Sequence, residues 1–358
     1  LDASLPKGDR VNATLSPIST NGNTMTIRKF SREPWTITRL VKGGAISSEA
    51  AALIWMAIHY EMSCIIAGGT ASGKTSAMNC FANFFPPNQR IISIEDTREI
   101  QLPSFLHWVP MNTRLANAEG KGKVSMGDLL INSLRMRPDR IIVGEVRRKV
   151  EAETLFEAIH TGHSVYATFH ANNAREAIDR LTNAPIEIPP IMLPAISLLI
   201  VQFRNRRTGN RRTFQIAEIT EDSKANVILQ YDSKKDRLVP AGKSRSFYDN
   251  LRLYTGYSDA EIRSELREKQ TVIEYLVKQG ITAVDDVGRV IAEYYTDKEN
   301  LMRFVKANKP FVAPMPPQAA PIMQPSAQTA PPTGAGVTTD APAPITHAAR
   351  AGAPKKQQ

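Results

Sequence analysis

A chain of 358 residues, 42% hydrophobic and 22% charged, has the make-up of a folded soluble protein with one large α/β core and a smaller domain. A formal net charge of +10 suits nucleic acid, an acidic membrane surface or an acidic protein, and does not choose among them. The two cysteines, Cys64 and Cys80, exclude a disulfide-built secreted domain; they sit in apolar runs without zinc spacing and read as buried thiols in a reducing cytoplasm.

The chain begins at Leu1 with no signal-peptide pattern after it, and reads as a fragment that lacks an upstream domain. Val11, Ala13 and Leu15 alternate with Asn12, Thr14 and Ser16, the period of a strand. Asn21-Gly22 supplies a tight turn, and Met25 and Ile27 resume the alternation, so a β-hairpin is predicted over 10–30. Ser47 is placed to cap a helix in which Ala50, Leu53, Ile54, Ala57 and Ile58 recur at helical spacing. Strands are then predicted over 63–67, 90–95, 140–143 and 164–169, and helices over 74–85, 127–136 and 152–159. This alternation implies a mostly parallel sheet covered on both faces.

The most apolar long stretch, 186–203, contains Glu187, Pro189, Pro190 and Pro194. A charge and helix breakers argue against a membrane span, and the stretch reads as buried core followed by a strand. A hairpin over 198–219 turns through a basic loop holding Arg204, Arg206, Arg207, Arg211 and Arg212. Helices follow over 258–278, opened by the Ser258/Glu261 capping box and stopped by Gly280, then over 285–295 and 297–307. From 309 to 358 the chain is rich in Pro, Ala, Thr and Gln and reads as disordered.

Gly68, Gly69, Thr70, Ala71, Ser72, Gly73, Lys74 and Thr75 match G-x-x-x-x-G-K-[ST] at a predicted strand-to-helix junction. Glycines let the backbone wrap close to phosphates with its N–H groups inward. The helix that follows presents its positive end to the same anions. Lys74 would reach the β- and γ-phosphates, Ser76 belongs to the same nucleotide-binding segment, and the Thr75 hydroxyl would ligate Mg²⁺. A mere glycine-rich turn before a helix is the bland alternative.

Two predicted strands end in acids, at Glu95-Asp96 and at Glu145. Ligands of an open parallel sheet bind at the carboxyl ends of its strands. A carboxylate there can hold Mg²⁺ or orient the attacking water. His163 and His170 flank the fourth strand, and His170 stands where it can meet a γ-phosphate or the water.

Four segments carry a likeness: Gly68 to Thr75; Ile94-Glu95-Asp96-Thr97-Arg98-Glu99; Arg137-Pro138-Asp139-Arg140-Ile141-Ile142-Val143-Gly144-Glu145-Val146-Arg147; and Thr161-Gly162-His163 with Thr168-Phe169-His170-Ala171. In this order they resemble the Walker A, Asp box, Walker B and His box of the type II/type IV secretion ATPase superfamily, in particular its archaeal branch, which drives archaella, adhesive pili and related secretion. The likeness extends over residues 9–305.

The resemblance implies an α/β fold: a RecA-like P-loop ATPase core at 43–222, a small, partial β-containing N-terminal domain with hairpin and linker at 1–42, and a C-terminal hairpin and helical region at 223–308, with the tail at 309–358. It implies ATP and Mg²⁺, with Glu95 activating water, Glu145 on the Mg²⁺ side with Thr75, and His163 and His170 as sensors; the two glutamate roles can be exchanged. Arg10 and Arg28 match family arginines that close on the γ-phosphate, and Arg114 and Arg135 add charge nearby. Arg148 replaces a family glycine and would alter local packing. A homohexamer is implied, cytoplasmic and peripheral at the inner face of the membrane, working through a polytopic membrane platform protein on pilin or archaellin machinery.

If Arg10 and Arg28 lie on the smaller domain, the γ-phosphate clamps two domains and hydrolysis releases the clamp. Two other functions stay open: a DNA-translocating or conjugation-type ATPase, and a regulatory nucleotide-binding module. For the basic loop the choice is between a solvated turn and a docking surface for an acidic partner or lipid headgroups. No aromatic interleaving supports nucleic acid.

Overall fold

The computed structural model describes residues 1–5, 8–29, 31–117 and 119–311. Three short strands open the chain, β1 (Asp2–Ser4), β2 (Arg10–Thr14) and β3 (Thr24–Arg28), paired antiparallel in that order. Residues opposite one another in such a ladder share a face. Val11 faces Ile27 and Ala13 faces Met25, whereas Arg10 faces Arg28, so one face is apolar and the other carries the two arginines. The predicted hairpin is present, but residues 15–23 join its strands instead of a two-residue turn. Asn21-Gly22 instead closes a reverse turn inside that loop, the Gly22 N–H donating to the Ser19 carbonyl at 3.2 Å. Met25 is 68% and Ile27 51% exposed, so the alternation of β3 marks a face left uncovered by the described residues.

Helices α1 (Ile37–Lys42) and α2 (Ser48–His59) come next. Ser47 caps α2, its hydroxyl accepting from the Ala50 N–H at 3.1 Å. Then follow β4 (Cys64–Gly68), α3 (Lys74–Ala82), β5 (Arg90–Glu95), β6 (His107–Asn112), α4 (Met126–Ser133), β7 (Arg140–Val146), α5 (Lys149–His160), β8 (Ser164–Phe169) and α6 (Ala174–Thr182). The chain continues through β9 (Leu198–Arg204), β10 (Arg211–Ile219), β11 (Ala225–Asp232), β12 (Arg237–Pro240), α7 (Phe247–Thr255), α8 (Asp259–Gln279), α9 (Val284–Thr296) and α10 (Lys298–Ala307).

Strands β4 to β12 form one sheet in the order β12-β11-β10-β9-β4-β8-β7-β5-β6. The run from β9 to β6 is parallel, and β10 to β12 extend it as an antiparallel meander. Strands β4 and β8 are buried throughout, as strands covered on both faces must be. One apolar cluster joins α2, α3 and the C-terminal helices on one face; the other joins α4, α5 and α6 on the opposite face.

The sheet runs across the boundary expected at 222/223, since β11 pairs with β10 along Gln215–Ile219. Glu218 ties this junction further: its buried carboxylate accepts from the backbone N–H of Arg245 at 2.5 Å and of Phe247 at 2.8 Å, where α7 begins. The capping box of α8 forms as expected, and Gly280 ends that helix at φ 68°. Residues 186–203 are core and strand as predicted, with Ile186, Ile188 and Leu193 buried. No helix among the described residues is long and apolar enough to cross a membrane. Cys64 and Cys80 are buried free thiols. Of the tail expected to be disordered, Lys309 lies against α8, its carbonyl accepting from the Tyr275 hydroxyl at 2.7 Å; residues 312–358 lie outside the described residues.

Candidate functional site

The central strand β4 delivers the chain into the loop 68–73 at the carboxyl edge of the sheet. A Cβ on Gly68 would stand 2.7 Å from the Gln202 carbonyl, so only glycine fits. Ala71 at φ 59° and Gly73 at φ 95° bend the backbone into a left-handed wrap. The Ser72 hydroxyl braces it, donating to the Gly69 carbonyl at 2.8 Å. Helix α3 starts at Lys74 with neither a side-chain cap nor an acid in its first turn, which leaves its amino end electropositive. The Lys74 ammonium folds over the loop, donating to the carbonyls of Gly68 at 3.0 Å and Gly69 at 3.2 Å. Burial lowers its pKa, against the charge of Glu145.

The acids share this edge. Across β5 and β7 Ile94 pairs with Val143, which brings Glu95 alongside Gly144; a Cβ there would lie 3.3 Å from the Glu95 Cα and Cγ. Glu95 is buried, and that burial raises its carboxyl to about 7, although the N–H groups of Glu99 and Ile100 donate to it at 2.9 and 3.1 Å. The Glu145 carboxylate accepts from the Arg147 Nε at 2.8 Å, and Arg147 also pairs with Asp96 at 3.1 Å. Glu145 and Arg147 both act on the charge of Lys74. Glu95 lies three strands from β4, about 14 Å along the sheet.

His170 follows β8 beside the start of the loop, because Ala67 pairs with Phe169. His163 is a correction. It precedes β8 and so stands at the amino edge, a six-residue strand away, about 20 Å from the loop. There its Nδ1 lies 3.2 Å from both the Thr161 hydroxyl and the Ala158 carbonyl. Arg114 also turns elsewhere, its Nε donating to the Gly122 carbonyl at 2.6 Å.

A cavity of about 190 Å³ opens between the N-terminal sheet and the start of α3. Arg10, Arg28 and Trp35 line one side, Thr75, Ser76 and Asn79 the other, with 97–99 between them. Each arginine is held by a carboxylate, Arg10 by Asp2 and Arg28 by Glu99, both at 2.8 Å.

Residues 1–224 match the family described as "Type II/IV secretion system protein", and residues 241–314 that described as "PilB3-like, C-terminal". The chain belongs to the type II/IV secretion ATPase family. It is 36% identical over 307 residues to "Uncharacterized protein MJ0900" of Methanocaldococcus jannaschii, covering 82% of this chain and 55% of that protein. It thus spans about half the length of that relative. "Type IV secretion system protein PtlH" of Bordetella pertussis is 32% identical over 245 residues, covering 59% of this chain and 72% of that one. Among solved structures, "Crystal Structure of the Pilus Retraction Motor PilT and Bound ADP" aligns at 21% identity and TM-score 0.47, over 80% of this chain and 75% of that one.

This member of the family has the RecA-like α/β core that its sequence resemblance implied, and further residues at the site that single motifs did not reveal. Asn79 ties the linker to the loop after β5: its carbonyl oxygen accepts from the Gln101 N–H at 2.7 Å, and its amide donates to the Trp35 carbonyl at 3.4 Å. The basic cluster 204–212 divides. Arg211 reaches the loop, its Nε donating to the Ala71 carbonyl at 2.9 Å, while Arg212 pairs with Asp236 at 2.8 Å. Adjacent strand residues point to opposite faces, a division that composition alone does not show. Arg148 needs no glycine-like role: the N–H groups of Arg147 and Arg148 donate to Glu151 at 2.8 and 3.0 Å and cap α5, and the Arg148 side chain is exposed.

Proposed function

We propose that this secretion ATPase is a motor that hydrolyses ATP in the cleft between its N-terminal sheet and its core. One arrangement carries the reading: Arg10 and Arg28 line the same cavity as Thr75 and Ser76, at the electropositive start of α3. The loop 68–73, Lys74 and Ser76 would hold the phosphates. Thr75 and Glu145 offer the hard oxygen donors that suit Mg²⁺, and when bound this ion would neutralise charge on the phosphate oxygens. No group of three or more His, Cys, Asp or Glu among the described residues could cage a metal alone, so phosphate oxygens and water would complete the shell.

Glu95, with its carboxyl raised to about 7, is suited to take a proton from water near neutral pH. His170 would sense the γ-phosphate. Arg10 and Arg28 would close on it, exchanging Asp2 and Glu99 for phosphate oxygens, and reopening would follow its loss. In a homohexamer each closure would move a neighbour. The ring would be cytoplasmic, peripheral at the inner face of the membrane, and would act through a polytopic platform protein to assemble an archaellum, a type IV-like pilus or a secretion pseudopilus.

Phosphate release by the purified chain, with its mass in solution, tests the reading. Mg²⁺-dependent turnover that rises on hexamer formation is expected, with Lys74→Ala inactive and Glu95→Gln retaining bound ATP. A steady monomer without turnover at high concentration would sink it. A second reading is favoured by "Putative conjugal transfer protein Rv3659c" of Mycobacterium tuberculosis, 35% identical over 219 residues. DNA that stimulates hydrolysis at low salt would select it.

A further inference from the structure

We infer that Arg211 is a positioning residue of the phosphate-binding loop, fastening it to β10 and, through β10, to the turn between α1 and α2. Ala71 is a non-glycine residue at φ 59°, a conformation its side chain disfavours, and it must be held there. Across their shared trans peptide the Ala71 carbonyl points away from the Ser72 N–H, which donates inside the loop to the Gly69 carbonyl at 3.3 Å, so the Ala71 carbonyl faces outward. The Arg211 Nε donates to that carbonyl at 2.9 Å. The stem of the same side chain lies over Gly73, where a Cβ would come within 3.2 Å of the Arg211 Cδ. One residue thus spans the second half of the loop from outside and adds positive charge without filling the phosphate site.

The next residues along β10 hold the turn between α1 and α2. Arg212 pairs with Asp236 at 2.8 Å and donates to the Gly43 carbonyl at 3.4 Å, while the Thr213 N–H donates to the Ala45 carbonyl at 2.7 Å. Residues 43–45 lie in the turn from α1 to α2, and Ile37 of α1 and Ile54 of α2 share one core cluster. A shift of the loop on filling would therefore reach this turn through three consecutive residues of one strand.

Arg211 can act in this way only if residues 68–75 hold a nucleotide's phosphates, the reading proposed above, so the test keeps the two apart. The full chain is compared with Arg211→Ala, Arg211→Lys and Arg207→Ala by backbone hydrogen exchange over 68–75 without nucleotide, and by steady-state Mg-ATP hydrolysis. Arg211→Ala is expected to speed exchange in the loop, leave β7 and β8 protected, and raise the KM for ATP about tenfold with a smaller effect on kcat. Arg211→Lys, which keeps a donor on a long stem, restores most of both, and Arg207→Ala changes neither. Should Arg211→Ala not fold, Arg211→Gln carries the same comparison. Unchanged exchange with unchanged KM overturns the role, as does a loss confined to kcat, which would put the guanidinium on the reacting phosphate. If the unaltered chain releases no phosphate, the motor reading fails while the exchange comparison still decides the role of Arg211.

Discussion

Arg28 on β3 and Glu99 in the loop after β5 form a 2.8 Å ion pair that joins the N-terminal sheet to the core beside the cavity. Its side chains are 68% and 30% exposed, and exposed pairs add only about 0–1 kcal/mol. A pair this weak can be exchanged, as the proposed closure of Arg28 on a phosphate requires. Arg28→Ala should therefore leave urea stability within about 1 kcal/mol of the parent and lower ATP turnover roughly a hundredfold. Parallel denaturation and phosphate-release curves check this, and unchanged turnover would make Arg28 a solvated strand residue.

Glu95 gives the pH dependence. Burial raises its carboxyl from the ordinary 4.5 to about 7. With a raised folded value, the proton is kept longer in the fold than in the unfolded chain. Stability is complete below about pH 4.5 and falls as pH rises towards 7, by about 3 kcal/mol in all. Glu95→Gln should be more stable than the parent at pH 8 and equal to it near pH 4. Turnover runs the opposite way: kcat/KM should climb with pH and level off above about 7, and the Gln variant should lose that slope. A parent profile flat from pH 5.5 to 8.5 would remove Glu95 as the base.

The parts of the site that depend on local geometry were legible in the sequence. The wrap at 68–73 is written in its glycines, and Glu95 and Glu145 follow from apolar strands that end in acids. What depends on register was not legible. Pro110 interrupts a strand pattern and hid β6, yet β6 is the edge strand of the sheet, where a missing N–H is tolerated. Strand direction already singled out His170, and His163 entered as a second sensor only through the resemblance, although a residue that precedes a parallel strand sits at the edge away from the loop. Arg211 and Arg212 looked alike as charges, and the pleat of β10 sends one to the loop and the other to Asp236.

Gly68 offers a test of the cradle that is independent of charge. A Cβ there would meet the Gln202 carbonyl at 2.7 Å and the Lys74 Cγ at 3.2 Å. The first neighbour is backbone of β9 and has no rotamer to escape into. Gly68→Ala should cost about 1–3 kcal/mol and abolish nucleotide binding, measured by titration with a fluorescent ATP analogue. Full binding by a folded Gly68→Ala variant would mean that the phosphates do not sit on this loop.

The helical C-terminal region is fastened to the core by a buried pair with its own signature. Lys269 on α8 is fully buried and bonds Glu265 of the same helix. Glu265 also accepts from the Tyr60 hydroxyl at 2.7 Å, and His59 Nδ1 lies 3.1 Å away, which ties α8 to the end of α2, one turn before β4. Burial pushes the Glu265 carboxyl up, but the His59 bond and the Lys269 charge outweigh it and hold it at about 2; burial brings Lys269 down to about 8. Glu265, depressed in the fold, adds stability above pH 4.5 that is lost as pH falls towards 2. Lys269 acts in the opposite sense: its charge is disfavoured in the fold, and stability returns as pH rises from 8 to 10.5. At neutral pH the two contributions largely cancel, so removing one partner strands a buried charge while removing both does not. Glu265→Gln and Lys269→Met should each cost about 3 kcal/mol, and the double variant should lie within about 1 kcal/mol of the parent. A double variant that loses the sum of both single costs in urea denaturation would show that the pair is not coupled, and that α8 is held to α2 by its apolar face alone.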